Sequence, residues 1–162
     1  RDVLVSSGIN VPTVSVSAND ALIRDGGADG VTEVIAGAYA LMDSRHTTYH
    51  SNLQNAAKIL TTVITHPEPE VAWLDTGQKA SSIDTGLPAV DGVSGLSLSR
   101  MSAEHGGLNV EGDAQQSLNI GDKVWLIPSD IGNCANVYDF IHAAENGALE
   151  AVWDVAARGQ YS

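Results

Sequence analysis

The sequence predicts a two-part α/β architecture: the last repeats of a parallel α/β array over residues 1–43, then a mainly antiparallel β domain over residues 44–162. Two short apolar runs near the start, Val3-Leu4-Val5 and Val31-Thr32-Glu33-Val34-Ile35-Ala36, stand either side of a polar connection, the strand–connection–strand order of a parallel sheet. After Asp43 the texture changes to longer β-branched runs parted by turn dipeptides. No long amphipathic helix interrupts those runs.

Val3–Val5 reads as a buried parallel strand that opens into Ser6-Ser7-Gly8-Ile9-Asn10, a turn of the kind that exposes backbone N–H groups to an anion. Ser17–Asp25 reads as a short helix with Asn19 or Asp20 near its start, and Gly26–Gly30 as a loop. Val31–Ala36 is the second strand, closed by Gly37-Ala38-Tyr39. Parallel strands are buried on both faces and need neighbours, so this opening reads as the later part of something longer. Ala57–Thr65 is then a long strand, His66–Glu70 a turn and Val71–Asp75 a strand. Gly121-Asp122 and Asn146-Gly147 have the chemistry of hairpin turns. Val124–Ile127, ended by Pro128, and Val137–Ile141 flank a polar loop, and Ala151–Val155 is the closing strand.

Composition limits the function. Apolar residues make up 43% of the 162, enough for a packed core, and charged residues only 17%. A net charge of −12 argues against nucleic acid and against an anionic membrane surface, both of which need a basic face. One cysteine excludes an internal disulfide and points to a reducing cytoplasm. No stretch approaches the roughly twenty apolar residues of a membrane span, and no signal peptide opens the chain.

Chemistry-bearing residues concentrate in two places. The loop Ser129–Asn136 holds Asp130, Asn133, Asn136 and Cys134, and it is either a presented polar site or an ordinary turn whose Asp and Asn satisfy local geometry. Glu104-His105-Gly106-Gly107 joins a carboxylate and an imidazole to two glycines: an oriented proton-transfer pair, or a loop salt bridge. His46 and His50 have the i, i+4 spacing of a helical metal pair. Their segment, Ser44–Ser51, is polar all round and has no acidic third ligand nearby, so a solvated loop is expected. His66 reads as exposed beside a proline turn. Asp75–Lys79 and Ser82–Pro88 read as polar turns, since neither has the glycine spacing of a phosphate loop.

These pieces, taken in order, resemble the D-threonine aldolase and D-serine dehydratase group of fold-type III pyridoxal-phosphate enzymes. The resemblance rests on Val5–Gly8 to Thr13, Gly37-Ala38-Tyr39 to Asp43, Leu74–Gly77, Asp84–Pro88, Ser102–Gly106, Leu126–Pro128, Asn136–Asp139 and Val155–Gly159. Asp84-Thr85-Gly86-Leu87-Pro88 is most similar to the aldolase branch, which includes enzymes acting on 3-hydroxyaspartate. The resemblance implies an alanine-racemase-like (β/α)8 barrel followed by a C-terminal β domain, this chain supplying the last barrel strands and that domain. It implies pyridoxal phosphate as cofactor, with Gly8, Ile9, Asn10 and Tyr39 by its phosphate, and a D-amino acid as small-molecule substrate. His105 or Asp130 would then handle the β-hydroxyl proton. The Schiff-base lysine of the family lies before anything in this sequence, so the remaining barrel comes from the same protein or a partner chain, and a homodimer is expected. The family's metal pair falls on Asp130 and Gly132. Glycine offers no ligand, so a divalent site is expected to be weakened or absent, Asp130 alone holding a hard cation with waters. Two other expectations compete: a degenerate member that keeps the fold without the chemistry, and an unrelated acidic β-rich binding subunit.

Overall fold

The computed structural model describes residues 1–17 and 27–160, and the chain divides into two compact units, Arg1–Ala56 and Ala57–Ser162. Where the sequence reading drew the line at 43/44, the units part at 56/57. The Ala56 N–H bonds the Leu41 carbonyl at 2.8 Å, which ties residues 44–56 to the first unit.

The first unit contains α1 (Asp2–Ser6), β1 (Ser15–Ser17), β2 (Glu33–Ile35), a 3-10 turn (Ala38–Ala40) and α2 (Ser44–Thr47). β1 and β2 pair in parallel, Ser15 opposite Glu33 and Ser17 opposite Ile35. A parallel pair is present, but only its second strand is the expected one: Ser15–Ser17 takes the place expected of Val3–Val5. Those residues form α1, with the Val5 N–H on the Arg1 carbonyl at 3.0 Å and the Ser6 and Ser7 hydroxyls folded back onto the Val3 carbonyl at 3.0 and 2.8 Å. β1, not Val3–Val5, pairs with β2, and local hydrogen bonds hold Val3–Val5 in α1. The helix expected over Ser17–Asp25 lies outside the described residues, apart from Ser17, which ends β1.

The His46 segment also departs from expectation. Asp43 caps α2 by accepting from the His46 N–H at 2.9 Å, and the same carboxylate oxygen lies 2.7 Å from His46 Nδ1. One carboxylate thus satisfies a first-turn N–H and an imidazole together, and Asp43, His46 and His50 are all buried. The solvated loop is a capped, buried helical turn.

The second unit is built on six antiparallel strands: β3 (Ile59–Glu68), β4 (Val71–Leu74), β5 (Ala89–Val90), β6 (Leu96–Met101), β7 (Gly106–Val110) and β8 (Lys123–Ile127). Their spatial order is β5-β8-β3-β4-β7-β6, and the two edges, β5 and β6, approach each other so that the sheet curls almost into a barrel. Alternation sets the inner face: Ile59, Thr61 and Val63 of β3 and Val124 and Leu126 of β8 point in. Val63, Leu74, Leu108, Val110 and Leu126 are fully buried in one core, each contributing roughly 1.5–3 kcal/mol of apolar burial.

Turn chemistry is fulfilled at one hairpin and not at the other. Asn146 and Gly147 both take positive φ, 50° and 82°, and join β9 (Phe140–Glu145) to β10 (Ala148–Asp154). Gly121-Asp122 instead leads from α3 (Ala114–Ser117) into β8, which pairs with β3 rather than with β7. β3 also runs through the predicted His66-Pro67 turn. Its pairing with β4 is irregular between Thr65 and Glu68, which lets a residue without an N–H sit inside a strand. Among the described residues no helix is long and apolar enough to cross a membrane.

Candidate functional site

In the second unit the predicted site residues stand on two turns of different construction. The Ser102–His105 turn joins β6 to β7 and is closed by the Ser102 N–H on the His105 carbonyl at 2.8 Å and the His105 N–H on Ser102 Oγ at 3.1 Å. It is seated on the segment after β4: the Gln78 N–H bonds the Ser102 carbonyl at 2.9 Å, the Lys79 N–H the Ala103 carbonyl at 3.1 Å, and Gln78 Nε2 the Met101 carbonyl at 3.0 Å. Gly77 makes this seat possible. A Cβ there would stand 2.5 Å from the Ala103 carbonyl oxygen and from the Glu104 carbonyl carbon, so the Asp75-Thr76-Gly77 motif is the floor under His105. Asp75 anchors the floor at its other end, accepting from Thr61 Oγ1 at 2.7 Å and the Thr62 N–H at 2.8 Å. Burial works against its charge, but those hydrogen bonds and the charge of Lys123 outweigh it and hold the carboxyl below its ordinary value.

Glu104 does not orient His105. It forms an ion pair with Lys79 instead, a partner 25 residues away that neither reading of the Glu104–His105 pair named. The His105 imidazole is exposed and faces a groove shared with Ile64, Trp73 and Arg100.

The second turn follows β8. Pro128 and Ser129 are buried, and Ser129 Oγ donates to the Gly86 carbonyl at 2.6 Å and accepts from Thr85 Oγ1 at 3.1 Å, which fixes the Asp84–Pro88 motif beside it. The expected loop is then a helix, α4 (Ile131–Ala135). Asp130 is its N-cap, with Oδ1 accepting from the Asn133 N–H at 3.0 Å. Cys134 points into the core, 3.6 Å from the Ala80 carbonyl oxygen, and burial, helped by the nearby Asp130 charge, pushes its thiol up to about 11. Burial, with Cys134 beside it, likewise pushes the Tyr138 phenol up to about 12.

This arrangement does not suit a divalent ion. The Asp130 carboxylate is engaged as a cap, Gly132 has no donor, and Cys134 is a protonated thiol turned away. Among the described residues no group of three or more His, Cys, Asp or Glu side chains is placed to hold a metal. Among the described residues no hydrogen bond or ion pair joins His105 to Asp130.

In the first unit Gly8, at φ 79°, closes α1. Its N–H bonds the Val5 carbonyl at 3.0 Å and that of Ile9 the Leu4 carbonyl at 3.0 Å, the pairing of a glycine-terminated helix. Both amides are thereby committed to α1. Gly8 keeps open space where a side chain would stand, Asn10 is exposed beside it, and the exposed Tyr39 hydroxyl has no hydrogen-bond partner among the described residues. The Gly8 and Ile9 amides therefore form no open cradle for an anion.

Residues 56–144 match the family model described as "Putative serine dehydratase domain", and that span is more than half of the chain. The chain belongs to the serine dehydratase domain family. It is 33% identical over 168 residues to the 3-hydroxy-D-aspartate aldolase of Paracoccus denitrificans (strain Pd 1222), covering 98% of this chain and 43% of that protein. The crystal structure of D-threonine aldolase from Filomicrobium marinum superposes with a TM-score of 0.84 at 27% identity, over 99% of this chain and 45% of that one. An ala racemase-like protein from Idiomarina loihiensis shares the fold, with a TM-score of 0.72 at 24% identity over 95% of this chain and 46% of that one. The fold expected from the resemblance, a barrel end followed by a β domain, therefore holds. This serine dehydratase family chain spans less than half the length of the relatives it matches. The family match takes in both the His105 and Asp130 turns and leaves Gly8–Asn10 and Tyr39 outside it.

Sequence reasoning missed the Arg100–Trp73 pair beside His105 and the Asp43–His46 pair. An Asp three residues before a His at a helix start was a readable signal for the second. Nothing in the sequence marked the first, because it depends on which strands lie side by side.

Proposed function

We propose that this chain is the closing portion of a pyridoxal-phosphate-dependent lyase for β-hydroxy-D-amino acids, of the aldolase or dehydratase type. Its first unit, wider at residues 1–56 than the 1–43 expected from the sequence, carries the last strands of the cofactor barrel, and residues 57–162 the C-terminal β domain. The observation that carries the reading is similarity along 98% of the chain to a 3-hydroxy-D-aspartate aldolase. When bound, pyridoxal phosphate supplies an electron sink for the bond broken at Cα.

The chain's own part is to bind and to move a proton. Asn10 and the Tyr39 hydroxyl offer hydrogen bonds to the cofactor phosphate, Gly8 leaves room for it, and Ile9 carries the turn between them. His105, exposed and held on a turn with three hydrogen bonds beneath it, is the group suited to take or return the β-hydroxyl proton. Asp130 is an alternative proton acceptor only if its cap is released. The cofactor lysine comes from outside the chain: Lys58 pairs with Asp91 at 2.5 Å, Lys79 with Glu104, and Lys123 donates to Thr62 at 2.7 Å, all within the β unit. We place the working enzyme in the cytoplasm, in keeping with the free thiol of Cys134, and as a homodimer, as the family resemblance implies.

The test is turnover of 3-hydroxy-D-aspartate, D-threonine and D-serine by the full-length protein loaded with pyridoxal phosphate. Glycine plus an aldehyde marks cleavage, and ammonia plus a keto acid marks dehydration. His105→Ala is expected to lower kcat by about a hundredfold or more. A second reading, a family member without lyase chemistry, is favoured by the capped Asp130 and the ligandless Gly132. Absence of turnover with all three substrates would establish it and overturn the first.

A further inference from the structure

The outer face of the six-stranded sheet carries a row of residues that the lyase reading does not use. Trp73 on β4 lies opposite Gly107 on β7, and Gly107 lies opposite Arg100 on β6. Because Gly107 has no side chain, the Arg100 guanidinium reaches across it and lies over the Trp73 ring, 4.6 Å from the centroid. A Cβ at Gly107 would stand 3.1 Å from Ser99 Oγ and 3.3 Å from Arg100 Cγ, pressing on the stem of the guanidinium, and in ordinary contact with Trp73 Cζ3 at 3.6 Å. Around the pair opens a groove of about 540 Å³, completed by Ile64, Thr65, Met101, Ser102 and His105.

Arg100 differs from the other cations of this unit. Lys58, Lys79 and Arg158 each hold a carboxylate, and Lys123 donates to a threonine hydroxyl. Arg100 has no ion pair or hydrogen bond from its side chain among the described residues, in a chain with 20 acidic residues and 8 basic ones. Carboxylates outnumber cations, yet among the described residues none has folded onto it. Stacking occupies the face of a guanidinium and fixes its plane, leaving the N–H edge as a preorganised fork for two oxygens. Beside that fork the lining is apolar: the Trp73 ring, Ile64 and Met101.

We propose that this groove binds a small organic carboxylate, its two oxygens on the edge of Arg100 and its apolar body against Trp73, Ile64 and Met101. The volume is that of a small-molecule site, and the open apolar wall beside one fixed cation selects an amphipathic acid over an inorganic anion. Ser102 and His105, on the turn at one end, supply further polar atoms. The site stands whether or not the protein is a lyase, because it is built from second-unit residues alone.

The test uses the three tryptophan indole N–H signals of the full chain in nuclear magnetic resonance, with Trp73 assigned by Trp73→Phe. Titration with 3-phenylpropionate should move the Trp73 signal saturably and leave Trp125 and Trp153 in place. The uncharged 3-phenylpropan-1-ol should bind about tenfold more weakly or not at all. Arg100→Met should weaken the acid by about tenfold or more. Gly107→Ala, which crowds the stack while leaving the charge, should also weaken it and serves as the decisive variant if Arg100→Met fails to fold. Unmoved Trp125 and Trp153 signals report the intact fold in each variant. No saturable movement of Trp73, equal affinity for acid and alcohol, or full binding in a folded Arg100→Met or Gly107→Ala protein would overturn the assignment.

Discussion

Gly77→Ala is the substitution that most directly probes how His105 is held. The added methyl would lie 2.5 Å from the Ala103 oxygen and the Glu104 carbonyl carbon and 2.6 Å from the Ala103 carbonyl carbon. Ordinary contact begins near 3.4 Å, so one backbone segment must retreat by about 0.9 Å, a movement no side-chain rotation supplies. Three hydrogen bonds, from the Gln78 N–H, the Lys79 N–H and Gln78 Nε2, hold the two segments together and would be stretched together. At about 1 kcal/mol each, and with about 1–3 kcal/mol for overpacking as the alternative to retreat, the expected loss is about 3 kcal/mol. With a urea dependence of about 1–3 kcal/mol per molar, the unfolding midpoint should fall by about 1–3 M. The His105 backbone amide should shift with it. Gly132→Ala is the control: its Cβ would meet only Asp130 Oδ1, at 3.4 Å, and alanine in α4 should be neutral or stabilising by up to about 1 kcal/mol. A Gly77→Ala protein with the wild-type midpoint and an unmoved His105 amide would refute the seating.

Two further outcomes follow from the turn after β8. Asp130→Ala should cost about 1 kcal/mol through the lost α4 cap, while Asp130→Asn, which can still accept from the Asn133 N–H, should cost only a few tenths; urea midpoints distinguish them. Equal losses would show that the charge, not the cap, matters. Cys134 gives a pH signature: its thiol keeps its proton in the folded state up to about 11, whereas in the unfolded chain it titrates near 9.0. The unfolded state therefore releases the proton first, and stability is full below about 9 and falls as pH rises toward about 11. Two units at about 1.4 kcal/mol each give about 3 kcal/mol as the upper figure. Cys134→Ala should flatten that alkaline slope, and an unchanged slope would show the thiol to be open to water.

What could be read from the sequence follows the range of the forces involved. Strands β3, β4, β8 and β10 were legible because β-branched alternation is local, and the β9–β10 hairpin because Asn146-Gly147 permits two positive φ values in a row. α1 was not: Val3–Val5 has strand composition, and what holds it as a helix is the Ser6 and Ser7 hydroxyls on the Val3 carbonyl and the Gly8 termination, which read equally well as a turn. α4 was hidden in a five-residue stretch with poor helix formers, and its signal, Asp130 three residues before Asn133, reads equally well as a turn. The site followed the same rule. Order along the chain singled out His105 and Asp130, but the partner of Glu104 lies 25 residues away at Lys79, and the Arg100–Trp73 stack requires three strands in register. Such pairings are set by the sheet, which composition and spacing do not specify.

The curling of the six strands has a consequence for the molecule's behaviour in a crowded solution. β5 is only two residues long, and the last strand at the opposite border of the sheet turns toward it. An open border of a β-sheet is a template on which a foreign chain adds its own backbone. Here that border is short on one side and faced by its own counterpart on the other. The curl that gathers Leu74, Leu108 and Leu126 into one interior is thus also what keeps the sheet from being extended by its neighbours.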